Sequence, residues 1–344
     1  MNLLAQSKRI NLTILRVVYF QRKPYDFHKS IEFIFDDVRQ RLAGKINPVK
    51  KVVSWYSKGI LDRVKIIQEA KHSQGDINHI TGDIHFAAIG LDKNKTILTV
   101  HDCGMLAASS GIKHALLKYF WFTLPLKKVA LVTVVSEATK AEFLKYVSYP
   151  ENRIKVIPVA VAESFTFKPK PFNKQTPVIL QIGTKPNKNL PRLIQALKDV
   201  SCHLQIIGVV PDDVKEKLEQ YNISWSAVAD LTEAEMVSHY NACDMVSFVS
   251  TYEGFGMPIA EANAVGRPII TSNILSMPQV AANAACLVDP YDVGQIRAGI
   301  EKIINDDQYR EQLVQNGLQN CTRFNADYIA NMYFELYQQL GKAS

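Results

Sequence analysis

The sequence predicts an α/β protein made of two Rossmann-like, doubly wound domains facing a central cleft. Three observations carry that expectation. Short apolar runs in the second half alternate with helix-period segments, and the first half repeats the theme more loosely. Between the halves, residues 164–177 set Pro169, Pro171 and Pro177 among lysines without apolar periodicity. Strands spaced by helices imply parallel sheets covered on both faces, and proline-rich polar stretches mark boundaries. At 344 residues the chain is long enough for two separate cores.

In the first half, strands are expected over 11–20, 76–82, 96–102 and 130–136, with helices over 29–43, 112–124 and 137–146. In the second, strands over 177–183, 203–208, 223–228, 245–250 and 268–273 enclose helices over 189–199, 212–220, 233–242 and 258–265. Residues 327–340 carry an amphipathic helix pattern. The division is an N-terminal domain over 1–165, a linker over 166–176, a C-terminal domain over 177–325 and a helical segment over 326–344. Ligands of such sheets bind beyond the carboxyl ends of the strands, so the cleft is the expected site.

Composition narrows the function classes. Hydrophobic residues at 47% and charged ones at 21% give the balance of a soluble globular protein. The first 20 residues place their basic pair inside the apolar run and lack a small-residue cleavage site, so they read as a strand and not a leader. No uncharged apolar run reaches the ~18 residues of a membrane span. The five cysteines are scattered without paired spacing, which fits a reducing cytoplasm better than a disulfide framework or a zinc site.

The net charge of +7 is unevenly placed. Residues 1–165 carry 25 Lys and Arg against 14 Asp and Glu, or +11, and residues 166–344 carry 15 against 19, or −4. That asymmetry suggests an anionic partner for the first half, whether nucleic acid, anionic lipid or a phosphorylated substrate. No nucleic-acid-binding module is present. Residues 45–65 and 114–128 mix lysines with Trp55, Tyr56, Phe120, Trp121 and Phe122. This composition suits peripheral contact with anionic lipid, while 114–128 taken alone fits a core helix with a solvated basic face slightly better.

The stretch EGFGMPIAEA, residues 253–262, follows the expected strand 245–250 and opens a helix. Pro258 suits a first helical position, where its missing N–H has no intrahelical partner to lose. Gly254, Phe255 and Gly256 then form the strand-to-helix turn, with backbone N–H groups at a helix amino end that favours anions. Glu253 and Glu261 bracket this anion site. Carboxylates beside a phosphate repel it unless they grip hydroxyls on either side, as in a sugar nucleotide. The alternative is a strand-ending acid, a helix-terminal acid and two turn glycines.

The block EGFGMPIAEANAVGRPIITSNILSMPQVAANAACLVDPYD resembles the signature of the retaining glycosyltransferases of family 4, also called glycosyl transferases group 1, which have the GT-B fold. The resemblance covers most of the chain and is strongest over 176–292. It implies that Glu253 contacts the donor sugar and Glu261 the ribose, with Gly254, Phe255, Gly256 and Met257 lining the donor. In IGTKPNKNLPRLIQAL, residues 182–197, it implies that the turn from Gly183 through Thr184 and Lys185 to Lys188 neutralises the leaving diphosphate. An Arg common near Thr184 is missing, and Lys185 can replace it only as a point charge. By spacing, Asn189 or its neighbour caps the next helix.

His101-Asp102 ends the strand at 96–102. A lone His at a strand end is more often structural than catalytic, whereas the resemblance places His101 near the reacting carbon, with Asp102 either orienting that ring or capping the following turn. Ser136 is a helix cap near the donor. Asn78, His79, Thr81 and Asp83 are polar residues suited to the acceptor side. The loop 19–30 departs from the family's double-glycine turn and carries Arg22, Lys23, His28 and Lys29, which either hold an acceptor phosphate or are solvated. Gln279 stands where a Glu is usual, and Pro158-Val159-Ala160 where the family has Pro-Asn-Gly.

The resemblance implies a hexosyltransferase that retains configuration, and no metal is indicated, since no Asp-x-Asp motif follows a strand. No cofactor is expected beyond the nucleotide sugar itself. The expected acceptor is a glycan or polyprenyl-linked sugar in surface polysaccharide or lipopolysaccharide synthesis. The expected setting is the inner face of the cytoplasmic membrane, with GDP-mannose the favoured donor. A non-catalytic nucleotide-sugar binder and a sugar-nucleotide epimerase are the alternatives.

Overall fold

A computed structural model describes residues 14–24 and 30–343. Expectations for residues 1–13, His28 and Lys29 lie outside these described residues. The first sheet contains β1 (Arg16–Gln21), β2 (Asn47–Val52), β3 (Ile77–Ile80), β4 (Thr96–Val100), β5 (Leu131–Val134) and β6 (Ile154–Val156). Its order is β2-β1-β3-β4-β5-β6, and every pairing is parallel. The second contains β7 (Val178–Ile182), β8 (His203–Ile207), β9 (Ser224–Val228), β10 (Met245–Phe248), β11 (Ile269–Ser272) and β12 (Cys286–Val288). It is also wholly parallel, in the order β12-β11-β10-β7-β8-β9.

In such sheets the chain winds outward in both directions from one point, leaving a crevice there that ligands use. The switch points are β1/β3 in the first sheet and β7/β10 in the second. Both central pairs are largely buried, with Val17, Val18, Ile179, Leu180 and Val246 all at 0% exposure. The sheets are therefore rigid platforms that fix the loops at their carboxyl ends.

Several elements differ from the sequence expectation. β2 was not expected, because NPVKKV is a half-exposed edge strand with Pro48 and two lysines, as edge strands tolerate. The three-residue edges β6 and β12 and the helices Ile60–His72, Val293–Asn305 and Asp307–Asn320 also lie outside the expected set. The continuous helix expected over 112–124 is an α-turn at 111–117 followed by a π-helical segment, Lys118–Thr123.

The terminal helix Ala326–Ala343 lies on the first sheet's layer, not the second's. Ile329, Tyr333, Leu336, Tyr337 and Leu340 join the buried cluster of Val17, Tyr19, Phe35 and Ile77. Arg41 Nη1 donates to Asp327 Oδ1 at 2.7 Å, and the Tyr337 hydroxyl lies 2.7 Å from His79 Nδ1. The last helix thus crosses back and ties the two halves together.

Candidate active site

The second sheet's switch point collects the residues of two turns. After β7, Gly183 takes a left-handed φ of 84°, and a Cβ there would meet the Lys188 stem at 3.1–3.5 Å. The glycine therefore lets Lys188 fold back across the turn. Gln181, buried in β7, fastens the same turn by donating Nε2 to the carbonyls of Gly183 (3.3 Å) and Lys188 (3.2 Å). Lys188 then reaches over the Phe248 ring, 4.9 Å from its centre, to Glu253 Oε1 at 2.6 Å.

Glu253 is held from several directions. Asn187 Nδ2 donates to its Oε1 at 3.2 Å and to the Tyr252 carbonyl at 2.9 Å. The Ser276 hydroxyl contacts the carbonyls of Glu253 (3.1 Å) and Phe255 (2.8 Å). Gly256 has a φ of 102°, open to glycine at low cost, and starts the helix Met257–Val265 with Pro258 in its first turn. Glu261, in the same helix, accepts the Tyr240 hydroxyl at 2.6 Å. Burial pushes its carboxyl up to about 7, against lowering by the Tyr240 hydrogen bond and by Lys188. Lys188 thus pairs with Glu253 ahead of the helix and acts electrostatically on Glu261, one turn into it.

The first domain closes onto this turn. A Cβ on Gly254 would lie 1.9 Å from the His101 carbonyl oxygen, so only glycine fits there. The Gly254 carbonyl accepts from the hydroxyls of Ser136 (2.7 Å) and Thr139 (2.8 Å). Glu137 N–H donates to Gln279 Oε1 at 3.0 Å, which gives the departure at Gln279 a structural partner. Tyr252 donates its hydroxyl to Glu142 Oε2 at 2.7 Å and accepts the Cys103 N–H at 3.1 Å. That joins the residue before Glu253 to the residue after Asp102.

His101 Nε2 lies 2.7 Å from the Thr81 carbonyl. A carbonyl only accepts, so Nε2 carries the proton. Burial lowers the ring's pKa, which keeps it neutral at pH 7 and leaves Nδ1 as an acceptor. Nδ1 has no hydrogen-bond partner among the described residues.

Other expected residues are placed differently. Asp102 Oδ1 accepts the Gly104 N–H at 2.8 Å, so of its two roles it fills the cap. Asn189 sits at the helix N-cap, but its side chain donates to the carbonyls of Val249 (2.9 Å) and Pro290 (2.7 Å) and makes no cap. The Thr184 hydroxyl is engaged by the Val209 carbonyl at 2.7 Å. Phe255 packs edge-on against Phe324 in the core, and Met257 borders the same cluster, so the side chain of Phe255 serves packing. Lys185 is exposed, with no side-chain partner among the described residues.

Asn78 and His79 do not line the cleft. Both are fully buried in the sheet, Asn78 bonded to Gln74 and Gly75 and His79 to Tyr337 and Thr99. The Thr81 hydroxyl is turned inward to the Phe20 carbonyl. Arg22 pairs with Glu32 at 2.9 Å and with Asp83. Lys23 lies 4.7 Å over the Tyr56 ring. Asn187, Tyr240, Glu142, Thr139 and Tyr252 were not expected, and no local pattern marks them, because each depends on chain segments far apart meeting in space. Among the described residues, no group of three or more His, Cys, Asp or Glu is placed to hold a metal ion, and no helix is long and apolar enough to cross a membrane.

The chain is similar to known proteins. The family model described as Glycosyltransferase Family 4 matches residues 17–165, and the one described as Glycosyl transferases group 1 matches 163–320. O-antigen chain mannosyltransferase B of Escherichia coli is 27% identical over 271 residues, covering 72% of this chain and 71% of that protein. The serotype-specific mannosyltransferase WbdA of Escherichia coli is 27% identical over 62% of this chain, which spans only 29% of its length. Among solved structures, sucrose-phosphate synthase from Thermosynechococcus elongatus superposes with a TM-score of 0.79 at 16% identity, covering 96% of this chain and 100% of that one. WaaG, a glycosyltransferase involved in lipopolysaccharide biosynthesis, gives 0.73 at 13% identity over 93% and 99%.

Proposed function

The chain belongs to glycosyltransferase family 4, and from that premise and the site's geometry we propose that it moves a hexose from a nucleotide-diphosphate sugar, with GDP-mannose as donor, to a glycan or lipid-linked acceptor in surface polysaccharide synthesis. The observation that carries this reading is Lys188 bridging to Glu253 beside the amino end of the helix Met257–Val265, with Glu261 one helical turn on. The donor's diphosphate draws Lys188 from Glu253 and takes the N–H groups of the Gly254–Gly256 turn. Glu253 is then left to accept hydroxyls of the hexose and Glu261 those of the ribose. The mannosyltransferase relatives support the choice of donor.

The transfer we propose retains configuration and needs no metal. The bond from the hexose C1 to the diphosphate oxygen breaks, and the acceptor oxygen bonds to C1 on the same face. The acceptor's hydroxyl proton passes to the departing phosphate oxygen. Lys188 and the turn N–H groups stabilise the charge that develops there, an effect worth about 3 kcal/mol per preorganised donor. His101 Nδ1 accepts a hydroxyl of the reacting sugar and holds its ring.

For the setting, we propose the cytoplasmic face of a membrane. Ile60 and Leu61 are 77% and 76% exposed, and Ile112 and Phe120 are 81% and 48% exposed. Arg63 lies 4.5 Å over the Trp121 ring, joining the two segments that carry them. Lys58, Lys65, Lys113 and Lys118 accompany these residues. Apolar anchors among cations favour an anionic lipid surface. The reading is tested by incubating the protein with GDP-mannose and a membrane extract of lipid-linked oligosaccharide, following sugar transfer and recording the anomeric configuration by NMR. Transfer with an α-linked product supports it. Inversion removes the front-face mechanism, and transfer only from other nucleotide sugars removes GDP-mannose.

A further inference from the structure

Tyr252, the residue before Glu253, reaches out of the second domain and into the first. Its carbonyl accepts Asn187 Nδ2 at 2.9 Å, which anchors its backbone to the turn that carries Lys188. Its hydroxyl donates to Glu142 Oε2 at 2.7 Å and accepts the Cys103 N–H at 3.1 Å. We propose that Tyr252 and Glu142 are positioning residues that make the alignment of His101 depend on the docking of the Gly254–Gly256 turn. The proposal rests on the glycosyltransferase reading above and deepens it by naming what holds the imidazole in place.

The contact has a fixed sense. A hydroxyl carries one proton and two lone pairs, and here the proton goes to Glu142 while a lone pair takes the Cys103 N–H. Burial raises the pKa of the Tyr252 hydroxyl, and Glu142 and Asp102 raise it further, so the phenol keeps its proton and remains the donor. The ring lies against Gly104, where a Cβ would meet Cε1 at 3.0 Å. Tyr252 therefore holds the backbone two and three residues beyond His101. At the other end of that segment, the His101 carbonyl itself faces Gly254. The chain from His101 to Gly104 is thus pinned at both ends by one turn of the second domain.

Folding does not call for this contact. Tyr252 and Glu142 are both half-buried, and neither belongs to a buried apolar cluster among the described residues. The terminal helix already ties the two halves through Tyr333, Tyr337 and Leu340. What Tyr252 adds is geometry. The Thr81 carbonyl holds His101 Nε2 on one side, and Tyr252 fixes the turn that follows the histidine on the other. A misplacement of about 1 Å at a reacting group lowers rates about 10²-fold, so a contact with little share in stability can govern turnover.

Two readouts test this: hydrogen exchange of the free protein, and steady-state transfer from GDP-mannose to a membrane extract of lipid-linked oligosaccharide. Tyr252→Phe removes only the hydroxyl and keeps the ring on Gly104, Glu142→Ala removes the acceptor, and Glu142→Gln keeps an acceptor oxygen. In Tyr252→Phe the amides of residues 101–107 should exchange about tenfold faster, although the substitution lies in the other domain, while those of β8 stay unchanged. Turnover should fall about tenfold in Tyr252→Phe and in Glu142→Ala, and the double variant should be no slower than the slower single one. Glu142→Gln should return turnover to within about threefold of wild type. Donor KM should stay within about twofold and the thermal shift with GDP should be unchanged in every variant. Unchanged exchange over 101–107 overturns the coupling. Losses that add in the double variant, or a donor KM that rises with kcat intact, overturn the positioning role. If the wild-type protein transfers no sugar from GDP-mannose, the donor reading fails by itself, and hydrogen exchange still decides the coupling.

Discussion

Gly254→Ala tests how the two domains build one site. The new Cβ would lie 1.9 Å from the His101 carbonyl oxygen, whereas such contacts essentially never fall below 3.0 Å, so the gap must widen by at least 1.1 Å. Both sides of the clash are backbone, so no side chain can rotate away. The φ of Gly254 is not left-handed, so alanine brings steric conflict without torsional strain. Widening the gap strains the bonds from Ser136 and Thr139 to the Gly254 carbonyl, each worth about 1 kcal/mol. A misplacement of about 1 Å at reacting groups lowers rates by about 10²-fold. Turnover of the variant should therefore fall about 100-fold in a steady-state transfer assay. The donor KM should change much less, because Lys188, Glu253 and the helix all belong to the second domain. A variant within threefold of the wild-type rate would refute this account of the closed site.

Three further substitutions test other contacts. Lys188→Met removes the cation that the proposal sets beside the leaving group, and turnover should drop about 10²–10³-fold in steady-state assays. Glu261, raised by burial to about 7, takes up a proton on folding, so its ionisation disfavours the folded state increasingly as pH rises from the ordinary carboxylate range to about 7. Glu261→Gln should thus gain stability relative to wild type across that window, with no relative gain at lower pH, as followed by denaturant titration. Donor affinity, measured calorimetrically, should rise through pH 7 in the wild type, and that rise should be absent from Glu261→Gln. Tyr337→Phe strips His79 Nδ1 of its partner in the buried junction with the terminal helix, and should cost about 1–3 kcal/mol in denaturant unfolding without altering nucleotide affinity.

The parts legible in the sequence are those where local chemistry decides the outcome. β10 and the turn after it are read from an apolar run, two glycines and a proline, and the helix Glu233–Ala242 from its helical pattern between two strands. β2 escaped because an edge strand buries too little to be apolar. Asp292 and Asp306 do cap the helices at Val293–Asn305 and Asp307–Asn320, so a signal for those existed. Within the site, Lys188 and Glu253 were recognisable by residue type and position, but their 2.6 Å contact joins chain segments 65 residues apart. The Tyr252–Glu142 and Gly254–His101 contacts were not legible at all, because they arise from one domain docking on the other. His79 misled for the same reason. A histidine on a polar-looking strand reads as cleft lining until the terminal helix is known to cover it.

The most direct measurement is the thermal shift of the purified protein and its Glu253→Ala and Lys188→Met variants with GDP, UDP, ADP and dTDP, each with EDTA and then with magnesium. The account predicts that GDP stabilises the wild type, approaching about 2.7 kcal/mol at 100 times its dissociation constant, with or without the metal. Lys188→Met should lose most of that shift, and Glu253→Ala should keep it, since the proposal assigns Glu253 to the hexose and not to the diphosphate. A shift that needs magnesium, or one that Lys188→Met leaves intact, would contradict the assignment of Lys188 to the leaving diphosphate.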